Sequence, residues 1–321
     1  MRPRLAIVIV NYRTAGLVID CLRSLQPEVA GLPDTRVVLV DNQSGDGSLE
    51  RLGAAIAAEG WGGWASLVSS PRNGGFSAGN NVGLRPLLAS PTAPEWILLL
   101  NPDTYVHPGA LAALLDGAAQ RPGVGIVGSR LEDPDGTAQP STFRFLRALT
   151  EFERELRLGV VTRALAPWST VIVVDDEPVR VGWVSGASML VRREVFEAVG
   201  LLDEGYFLYY EEVDLCLRAA RAGWSCWYEP NSRVVHLVGR STGVDPSDVA
   251  QAVPTYVFES RRRYFVKSFG LAYAVLADLS WIAGHLLCRL RTWLLRRPRG
   301  SRPGQLRTFL RQSTLVRGGL P

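Results

Sequence analysis

The sequence lacks the residue patterns that mark several common classes of protein. It contains neither the GxGxxG fingerprint of dinucleotide-binding folds, which disfavours a dehydrogenase, nor a Walker P-loop. No internal repeat or low-complexity tract occurs. The cysteines form no CxxC pair and no zinc-type spacing, so we expect reduced, mostly buried thiols in a cytosolic setting at Cys21, Cys216, Cys226 and Cys288.

What remains is the composition of a folded protein. The chain has 321 residues, 47% of them hydrophobic and 21% charged, which is enough for one large domain or two smaller ones. Arg2 and Arg4 precede an apolar stretch, residues 5–10, that could be mistaken for a signal peptide. That stretch is short and runs directly into polar residues, so it predicts a buried strand.

The first hundred residues alternate short apolar runs with segments of helical periodicity. This alternation predicts βαβ units and a parallel sheet covered on both faces. Ligands of such sheets bind at the carboxyl ends of the strands, and the residues there are polar. They are Asn11, Asp41, Asn101 and Asp103, together with the loop RNGGFSAGNN of residues 72–81. The sequence therefore predicts a cleft for a polar ligand at this edge.

Three of these features carry candidate chemistry. Asp41 can accept hydrogen bonds from a ribose or a base, although an ordinary turn or capping residue would look the same. In the glycine-rich loop, Arg72 and free backbone amides suit a diphosphate, but a plain helix start explains them equally well. Asp103 could hold a divalent cation that bridges phosphates; it needs a partner, for which His236 is the candidate unless that histidine is structural.

The densest signal is the run FLYYEEVDLCLRAARAGW, residues 207–224. Glu211, Glu212 and Asp214 open a helical pattern, where acidic residues also simply favour the helix dipole. Three carboxylates within four residues repel one another, and the preceding aromatic residues would desolvate them. Such surroundings raise the pKa of a carboxyl group and suit a general base for a sugar hydroxyl.

Taken together, these segments resemble the family 2 glycosyltransferases of the GT-A fold, especially bacterial rhamnosyltransferase-like members. The resemblance runs from about residue 5 to residue 270, with its motifs in the expected order. They are IVIVNYRT, VVLVDNQSGDGS, RNGGFSAGNNVGL, ILLLNPDTYV, GWVSGASMLVRREVFEAVG with LLDEGYFLYYEEVDLCLRAARAGW, and VVHLVGRSTG. The fold implied is a Rossmann-like, mixed and mainly parallel sheet flanked by helices, with a C-terminal helical extension.

The resemblance also implies a role for each matching residue. Glu212 would be the catalytic base, with its neighbour Glu211 as the alternative. Asp103 is similar to the last acid of the family's DxD motif, whose first acid is here Asn101, and His236 looks like the second ligand of a Mg²⁺ or Mn²⁺ ion. The donor nucleotide sugar would be bordered by Asn11, Thr14, Asp41, Arg72, Gly75, Asn80, Asn101 and Asp103.

The function implied is inverting transfer of a sugar from a nucleotide donor to a hydroxyl of a lipid-linked or polysaccharide acceptor of the cell envelope. The resemblance favours L-rhamnose from dTDP-rhamnose, with a dTDP- or UDP-linked donor as the broader class. The alternatives are a sugar-nucleotide-binding protein without transfer activity, a nucleotidylyltransferase, or a membrane-associated scaffold. The nucleotidylyltransferase would need an early glycine-rich basic loop, which residues 10–16 do not supply.

Charge divides the chain into two parts. Residues 256–321 hold thirteen basic and two acidic residues, a net charge of +11, whereas the rest carries −7. We therefore predict a glycosyltransferase domain over residues 1–240 and a basic helical extension over residues 241–321, with a mobile end from residue 299.

Within that extension, residues 271–295 are apolar but interrupted by polar residues on one helical face, Asp278, His285, Arg289, Thr292 and Arg296. An amphipathic helix lying in the interface of an anionic membrane explains both the apolar and the basic character. The enzyme would then be cytoplasmic and peripheral on the inner face of the cell membrane. A helix packed on the main domain or in a homo-oligomer is the alternative. Nucleic acid is a weaker candidate partner, because the basic residues are interleaved with aliphatic runs and tryptophans.

Overall fold

The structure is a computed structural model that describes residues 5–159, 163, 165, 168–172, 176–240, 251–296 and 302–321. Its strands are β1 Leu5–Asn11, β2 Thr35–Asp41, β3 Ala65–Ser69, β4 Trp96–Leu100, β5 Thr104–Val106, β6 Val124–Glu132, β7 Thr142–Phe143, β8 Val179–Val181, β9 Trp183–Val184, β10 Ser188–Arg192 and β11 Ser225–His236. Its helices are α1 Ala15–Gly31, α2 Ser48–Ala58, α3 Gly75–Ala89, α4 Ala110–Ala119, α5 Ala148–Leu156, α6 Arg193–Val199, α7 Glu211–Arg221, α8 Thr255–Phe269, α9 Leu271–Leu294, α10 Gln305–Gln312 and α11 Thr314–Arg317.

One mixed sheet organises the molecule. Across the described residues its strands follow the order β3-β2-β1-β4-β10-β6-β11-β5, and β8 pairs with β11. The half built from β1 to β4 is parallel, and β10 runs antiparallel to both of its neighbours, β4 and β6. The predicted mixed sheet flanked by helices is thereby confirmed.

Alternate residues of each central strand face two separate apolar cores, because successive side chains of a strand point to opposite faces. In β1, Ile7 and Ile9 pack with α1, α2 and α4, whereas Val8 and Val10 pack with α3, α6 and α7. This two-sided burial explains why the strands read as continuous apolar runs. It also leaves the carboxyl edge of the parallel strands open for a ligand.

The C-terminal helices are joined to the sheet domain by a third apolar core. It combines Tyr206, Tyr210 and Val213, at the start of α7, with Phe265 of α8 and Ala277 of α9. The helix that carries the candidate base therefore packs directly against the C-terminal extension.

Buried ionic contacts reinforce this junction. Arg261 of α8, 2% exposed, pairs with Glu151 of α5 and, at 2.5 Å, with Asp278 of α9. His285 lies 3.1 Å from Glu155 of α5. Asp278 and His285 belong to the polar face predicted from the sequence, and both point into the protein. The side of α9 that faces outward is instead rich in leucine.

Two local expectations are wrong. The apolar pattern of residues 181–191 predicts a single strand. The chain is instead interrupted at Gly182, which packs against the backbone of residues 143–145, and again at residues 185–187, which leave the sheet to line a cleft. The predicted mobile end is also incorrect for residues 302–321. There Phe309 of α10 is buried and stacks on Trp281 with ring centroids 3.8 Å apart. Residues 299–301 of that predicted end lie outside the described residues.

Candidate active site

A cleft of about 370 Å³ opens at the carboxyl ends of β1, β2 and β4. One side consists of polar strand ends and the glycine-rich loop, and the opposite side of the start of α7 and the aromatic residues beside it. The residues that line the cleft are Val10, Tyr12, Thr14, Asn42, Asn73, Gly75, Phe76, Asn101, Pro102, Ser185, Gly186, Ala187, Phe207, Leu208, Tyr209, Glu211, Glu212, His236, Val238, Gly239 and Tyr256. Six of the residues predicted from the sequence are therefore brought to one cavity.

The paired glutamates lie at the first turn of α7. Glu211 is buried, whereas Glu212 is partly exposed to the cleft. Within the described part of the chain, Oε2 of each has no hydrogen-bond partner. Burial, together with the charge of Glu212, raises the pKa of Glu211 well above its usual range. Burial raises the pKa of Glu212 to about 7. Near neutral pH one carboxyl group stays protonated while the other can accept a proton.

A hydrogen-bonded layer supports the donor side of the cleft from below. Nδ2 of Asn11 donates to Oδ1 of Asp41 at 2.7 Å and to Oγ of Ser44 at 3.0 Å. Oδ1 of Asn11 in turn accepts from the backbone N–H and the hydroxyl of Thr14. Asn11 and Asp41 are buried, so they fix the strand ends, and of these four residues Thr14 is the one that borders the cavity.

The glycine-rich loop is clamped against the loop that leads into α7. Gly75 has φ +77°, and a Cβ there would lie 1.9 Å from the carbonyl oxygen of Phe207. The next residue, Phe76, donates its N–H to that same oxygen at 2.8 Å. Nδ2 of Asn42 bonds Asn73 and the Gly75 carbonyl, at 3.0 and 3.1 Å. Only glycine permits this close approach, which ties both walls of the cleft together.

Five residues predicted to border the donor do not line the cleft, namely Asn11, Asp41, Arg72, Asn80 and Asp103. The side chain of Arg72 is 71% exposed and lies 3.6 Å from Glu204 on the outer side of the loop. Asn80 is buried in α3 and donates to the Phe76 carbonyl at 2.9 Å. The helical turn places Asn80 beneath the loop, so it supports the loop from behind.

Asn101 and His236 line the cleft where β5 pairs with β11, and Asp103 lies buried beside them. Nε2 of His236 lies 3.6 Å from Oδ1 of Asp103 and 3.3 Å from Nδ2 of Asn101. Burial lowers the pKa of His236. The imidazole is therefore neutral near pH 7, as a metal ligand must be.

These residues fit a divalent cation only in part. Asp103 and His236 offer one carboxylate and one imidazole, and no group of three or more His, Cys, Asp or Glu in the described residues could enclose an ion. Mg²⁺ and Mn²⁺ sites that share their ion with a phosphate ligand commonly use few protein groups. Asp103 and His236 therefore suit a cation site in which the diphosphate of the donor would supply further ligands.

Several residues of the cleft were not predicted from the sequence. Asn42 follows Asp41 directly, and residues 185–187 lie within the quoted GWVSGA motif, so the motifs themselves contained the signal. Tyr256 belongs to α8, beyond the predicted domain boundary at residue 240, and no local pattern marks it. Residues 241–250, which include the end of the VVHLVGRSTG motif, lie outside the described residues.

A mixed sheet with a cleft at its parallel strand ends, facing a carboxyl pair, is the arrangement that the motifs predicted for a glycosyltransferase of GT-A fold. The sequence profile described as glycosyltransferase-like family 2 matches residues 3–255. The chain belongs to this family, as the motifs predicted.

Within this family, the chain is similar to two proteins named as rhamnosyltransferases. Over 179 residues, 54% of this chain, it is 38% identical to N-acetylglucosaminyl-diphospho-decaprenol L-rhamnosyltransferase of Mycobacterium tuberculosis. Over 167 residues, 50% of the chain, it is 28% identical to rhamnosyltransferase WbbL of Escherichia coli. The matches cover 57% and 60% of these relatives, so the chain spans less than two thirds of their length.

A solved structure confirms the fold. The mannosyltransferase PcManGT of Pyrobaculum calidifontis, in complex with GDP-mannose and Mn²⁺, superposes with a TM-score of 0.53 at 17% identity. The superposition covers all of this chain and 77% of that one. At this identity the likeness concerns the fold, and the GT-A architecture predicted from the motifs is confirmed.

Proposed function

We propose that the chain is an inverting glycosyltransferase that moves a sugar from a nucleotide donor to a hydroxyl of a lipid-linked or polysaccharide acceptor. The observation that carries this proposal is the glutamate pair in the cleft, held at a pKa suited to proton transfer. A protein that only bound sugar nucleotides would gain nothing from two carboxyl groups buried at such a cost. The names of the mycobacterial and E. coli relatives support rhamnose as the sugar. The dTDP carrier is proposed on the resemblance of the motifs to rhamnosyltransferases.

Glu212 is the base in this proposal because, of the two glutamates, it is the one partly exposed to the cleft. Its carboxylate takes the proton of the acceptor hydroxyl while that oxygen bonds to the anomeric carbon. The bond from that carbon to the diphosphate breaks in the same step, and the nucleoside diphosphate leaves with the electron pair. Attack opposite to the leaving group inverts the anomeric centre. Glu211 is more deeply buried and stays protonated. It is then neutral, so no second negative charge lies beside the carboxylate of Glu212.

The donor lies along the strand ends in this proposal. Thr14 and Asn42 border the nucleoside, and the Asn11–Asp41 layer beneath holds them in place. The backbone around Gly75 approaches the diphosphate from the other side. Arg72 takes part only if it leaves Glu204, and Asn80 acts by supporting the loop.

A divalent cation, Mg²⁺ or Mn²⁺, would be held by Asp103 and His236, with Asn101 beside them. Bound there, it would offset the negative charge that develops on the departing diphosphate. The Mn²⁺ in the complex of the archaeal mannosyltransferase supports this choice. His236→Ala should weaken metal binding, measured by calorimetric titration of Mn²⁺ in the presence of dTDP. A wild-type enzyme of unchanged activity after chelation would remove the metal from the account.

A donor panel tests the proposal as a whole. Purified protein is heated with dTDP-, UDP- and GDP-linked sugars, with and without Mg²⁺ or Mn²⁺, and the unfolding midpoint is followed. Specific binding raises the midpoint by mass action, so dTDP-rhamnose should give the largest rise. A larger rise with a GDP-sugar would contradict the donor assignment, and no rise with any sugar nucleotide would contradict the function.

We also propose that the protein lies on the inner face of the cell membrane, with α9 in the lipid interface. The outward side of α9, here called the leucine face, consists of Leu276, Leu279, Leu286, Leu287, Leu290, Trp293 and Leu294. Each is close to half exposed or more, and Trp293 is 74% exposed. So large an exposed apolar surface indicates a binding site.

Anionic lipid is the occupant that the charges favour. Arg289 and Arg296 are exposed at the same end of α9, and the C-terminal part of the chain carries the excess positive charge. The helix is also long and apolar enough to span a bilayer. Lying flat is favoured because Asp278 and His285 are paired with the body of the protein. A polyprenyl-linked acceptor would then be reached from the membrane surface.

A further inference from the structure

Three aromatic side chains form one wall of the cleft beside the glutamates. This aromatic wall consists of Phe207, Tyr209 and Tyr256, which all line the cavity with Glu212. The ring of Tyr256 lies 5.6 Å from Phe207 and 6.2 Å from Tyr209, centroid to centroid. Tyr256 belongs to α8, so the C-terminal extension supplies part of the cavity itself.

The backbone beneath the wall adopts a costly conformation. Tyr209 and Tyr210 have φ values of 68° and 74°, in the left-handed region that bulky residues rarely occupy. Such strained residues are retained where the surrounding structure holds them in place. This backbone conformation directs the two tyrosine side chains to different places. Tyr210 enters the third apolar core, whereas Tyr209, one residue earlier, reaches the cleft.

Contacts from α8 hold the wall in position. The hydroxyl of Ser260 donates to the carbonyl of Leu208 at 3.0 Å. Arg263 and Lys267 bind Asp203, at the start of the same loop, at 2.8 and 2.7 Å. With the Phe76–Phe207 hydrogen bond on the other side, the loop is fixed before any ligand enters. Preorganisation of this kind favours a binding role for the rings.

We propose that the aromatic wall binds the acceptor sugar, whose pyranose ring stacks on Tyr256 and presents a hydroxyl to Glu212. This inference rests on the proposed function and names the acceptor side of the same site. The base must touch the acceptor, so the acceptor occupies the side of the cleft that Glu212 faces. The C–H groups on one face of a pyranose are weakly positive and pack against the negative face of an aromatic ring. The opposite end, with Tyr12, Thr14 and Asn42, is left to the donor.

Substitution of Tyr256 tests this assignment directly. Tyr256→Leu keeps apolar bulk but removes the ring, whereas Tyr256→Phe keeps the ring. The probe is N-acetylglucosaminyl diphosphate on a short alkyl chain, with its affinity measured by calorimetry and its KM by transfer. The leucine variant should weaken binding and raise the acceptor KM about tenfold, and the phenylalanine variant should stay within about twofold. The Kd for the donor nucleotide should not change in either.

Tyr12→Leu is the matched control at the donor end of the cleft. It should weaken donor binding and leave acceptor affinity alone, the reverse of Tyr256→Leu. The proposal is overturned if Tyr256→Leu weakens the donor instead, or if its effect appears only with a long prenyl chain, which would make the wall a lipid site. Acceptor affinity is measured by calorimetry without turnover, so it tests the aromatic wall alone. Absence of sugar transfer by the wild-type protein would instead contradict the proposed function.

Discussion

The behaviour of Glu212 depends on which of two opposing effects on its charge is larger. The amino end of α7 favours a negative charge by typically 0.3–1 kcal/mol. Raising a pKa from 4.5 to about 7 corresponds to roughly 3 kcal/mol in the other direction, and burial is its leading cause. Burial therefore outweighs the helix dipole. The acidic start of α7 does more than cap a helix, which is the point that the sequence alone left open.

The rate should therefore depend on pH near neutrality. Since Glu212 must be ionised to accept a proton, kcat/KM should rise with pH through about 7 and then level off. Stability should move the opposite way, because a folded-state pKa above the unfolded value favours the protonated fold. The free energy of unfolding should fall as pH rises from about 4.5 to about 7. Transfer kinetics and urea titrations across this range measure both; a rate that levels off near pH 5 would contradict the assignment.

Gly75 offers a second test at this scale. Gly75→Ala places a methyl group against the Phe207 carbonyl at a positive φ, so we expect a loss of roughly 2–4 kcal/mol in unfolding free energy. Transfer should fall further than stability alone explains, because the displaced loop leads into Glu211 and Glu212. Gly62→Ala is the control, since a Cβ there meets nothing within 4 Å. Equal effects of the two substitutions would refute the clamp.

Some residues of the candidate site could be predicted from the sequence, and others could not. The glutamate pair, Gly75 and His236 lie in motifs that are short and contiguous. Tyr256 is 47 residues from its partner Tyr209 along the chain, and such a contact depends on how α8 packs. Local sequence carries no sign of it. The left-handed tyrosines were equally hidden, because their strain is tolerated only in the folded environment.

Among the secondary-structure elements, α9 shows how burial can reverse the reading of a helical pattern. The spacing of Asp278 and His285 correctly placed them on one face, yet periodicity does not say which face meets the protein. Arg261 and the backbone N–H of Thr314, on other helices, are the partners that stabilise the buried carboxylate of Asp278. The strands were predictable because buried parallel strands need continuous apolar side chains. The break at Gly182 was not, since it depends on contact with residues 143–145.

Asp278→Asn tests whether this ionic contact secures the C-terminal helices. Removing one charge from a buried pair leaves Arg261 partly uncompensated, so unfolding should become easier by about 3–5 kcal/mol. Asp20→Asn breaks the exposed pair with Arg23 and should cost less than about 1 kcal/mol. Urea unfolding of both variants compares them. A loss at Asp278 as small as that at Asp20 would show that the helices do not depend on the pair.

For the whole molecule, the charge asymmetry and the leucine face belong to the same region. Composition alone indicates a basic, apolar C-terminal part, and on that basis the division at residue 240 stays a proposal. The two parts do not fold independently, because the third apolar core and the ion pair between Arg263 and Asp203 cross that boundary. Which side of α9 is free could not be read from composition, since it depends on where α5 packs.

Membrane binding should follow from the leucine face and its arginines. The full chain should float with vesicles containing phosphatidylglycerol and bind phosphatidylcholine vesicles more weakly, with binding reduced by salt. Leu286→Ser with Leu290→Ser should weaken binding roughly 10- to 100-fold, and Arg289→Glu about tenfold. Arg23→Glu, the same charge change on the exposed side of α1, is the control. A dimer in solution that the leucine variants dissociate, without vesicle binding, would assign the face to a second copy of the chain.

The most direct test of the account compares Glu212→Gln with Glu211→Gln in transfer from dTDP-rhamnose, with donor affinity measured alongside by calorimetry. Glutamine resembles a protonated carboxyl group, so it should be tolerated at Glu211, with a loss of less than about tenfold. At Glu212 it should lower the rate by about 10²–10⁴-fold while the donor Kd stays within about twofold. Unchanged transfer in Glu212→Gln would contradict the assignment of the base, and collapse only in Glu211→Gln would move that role to its neighbour.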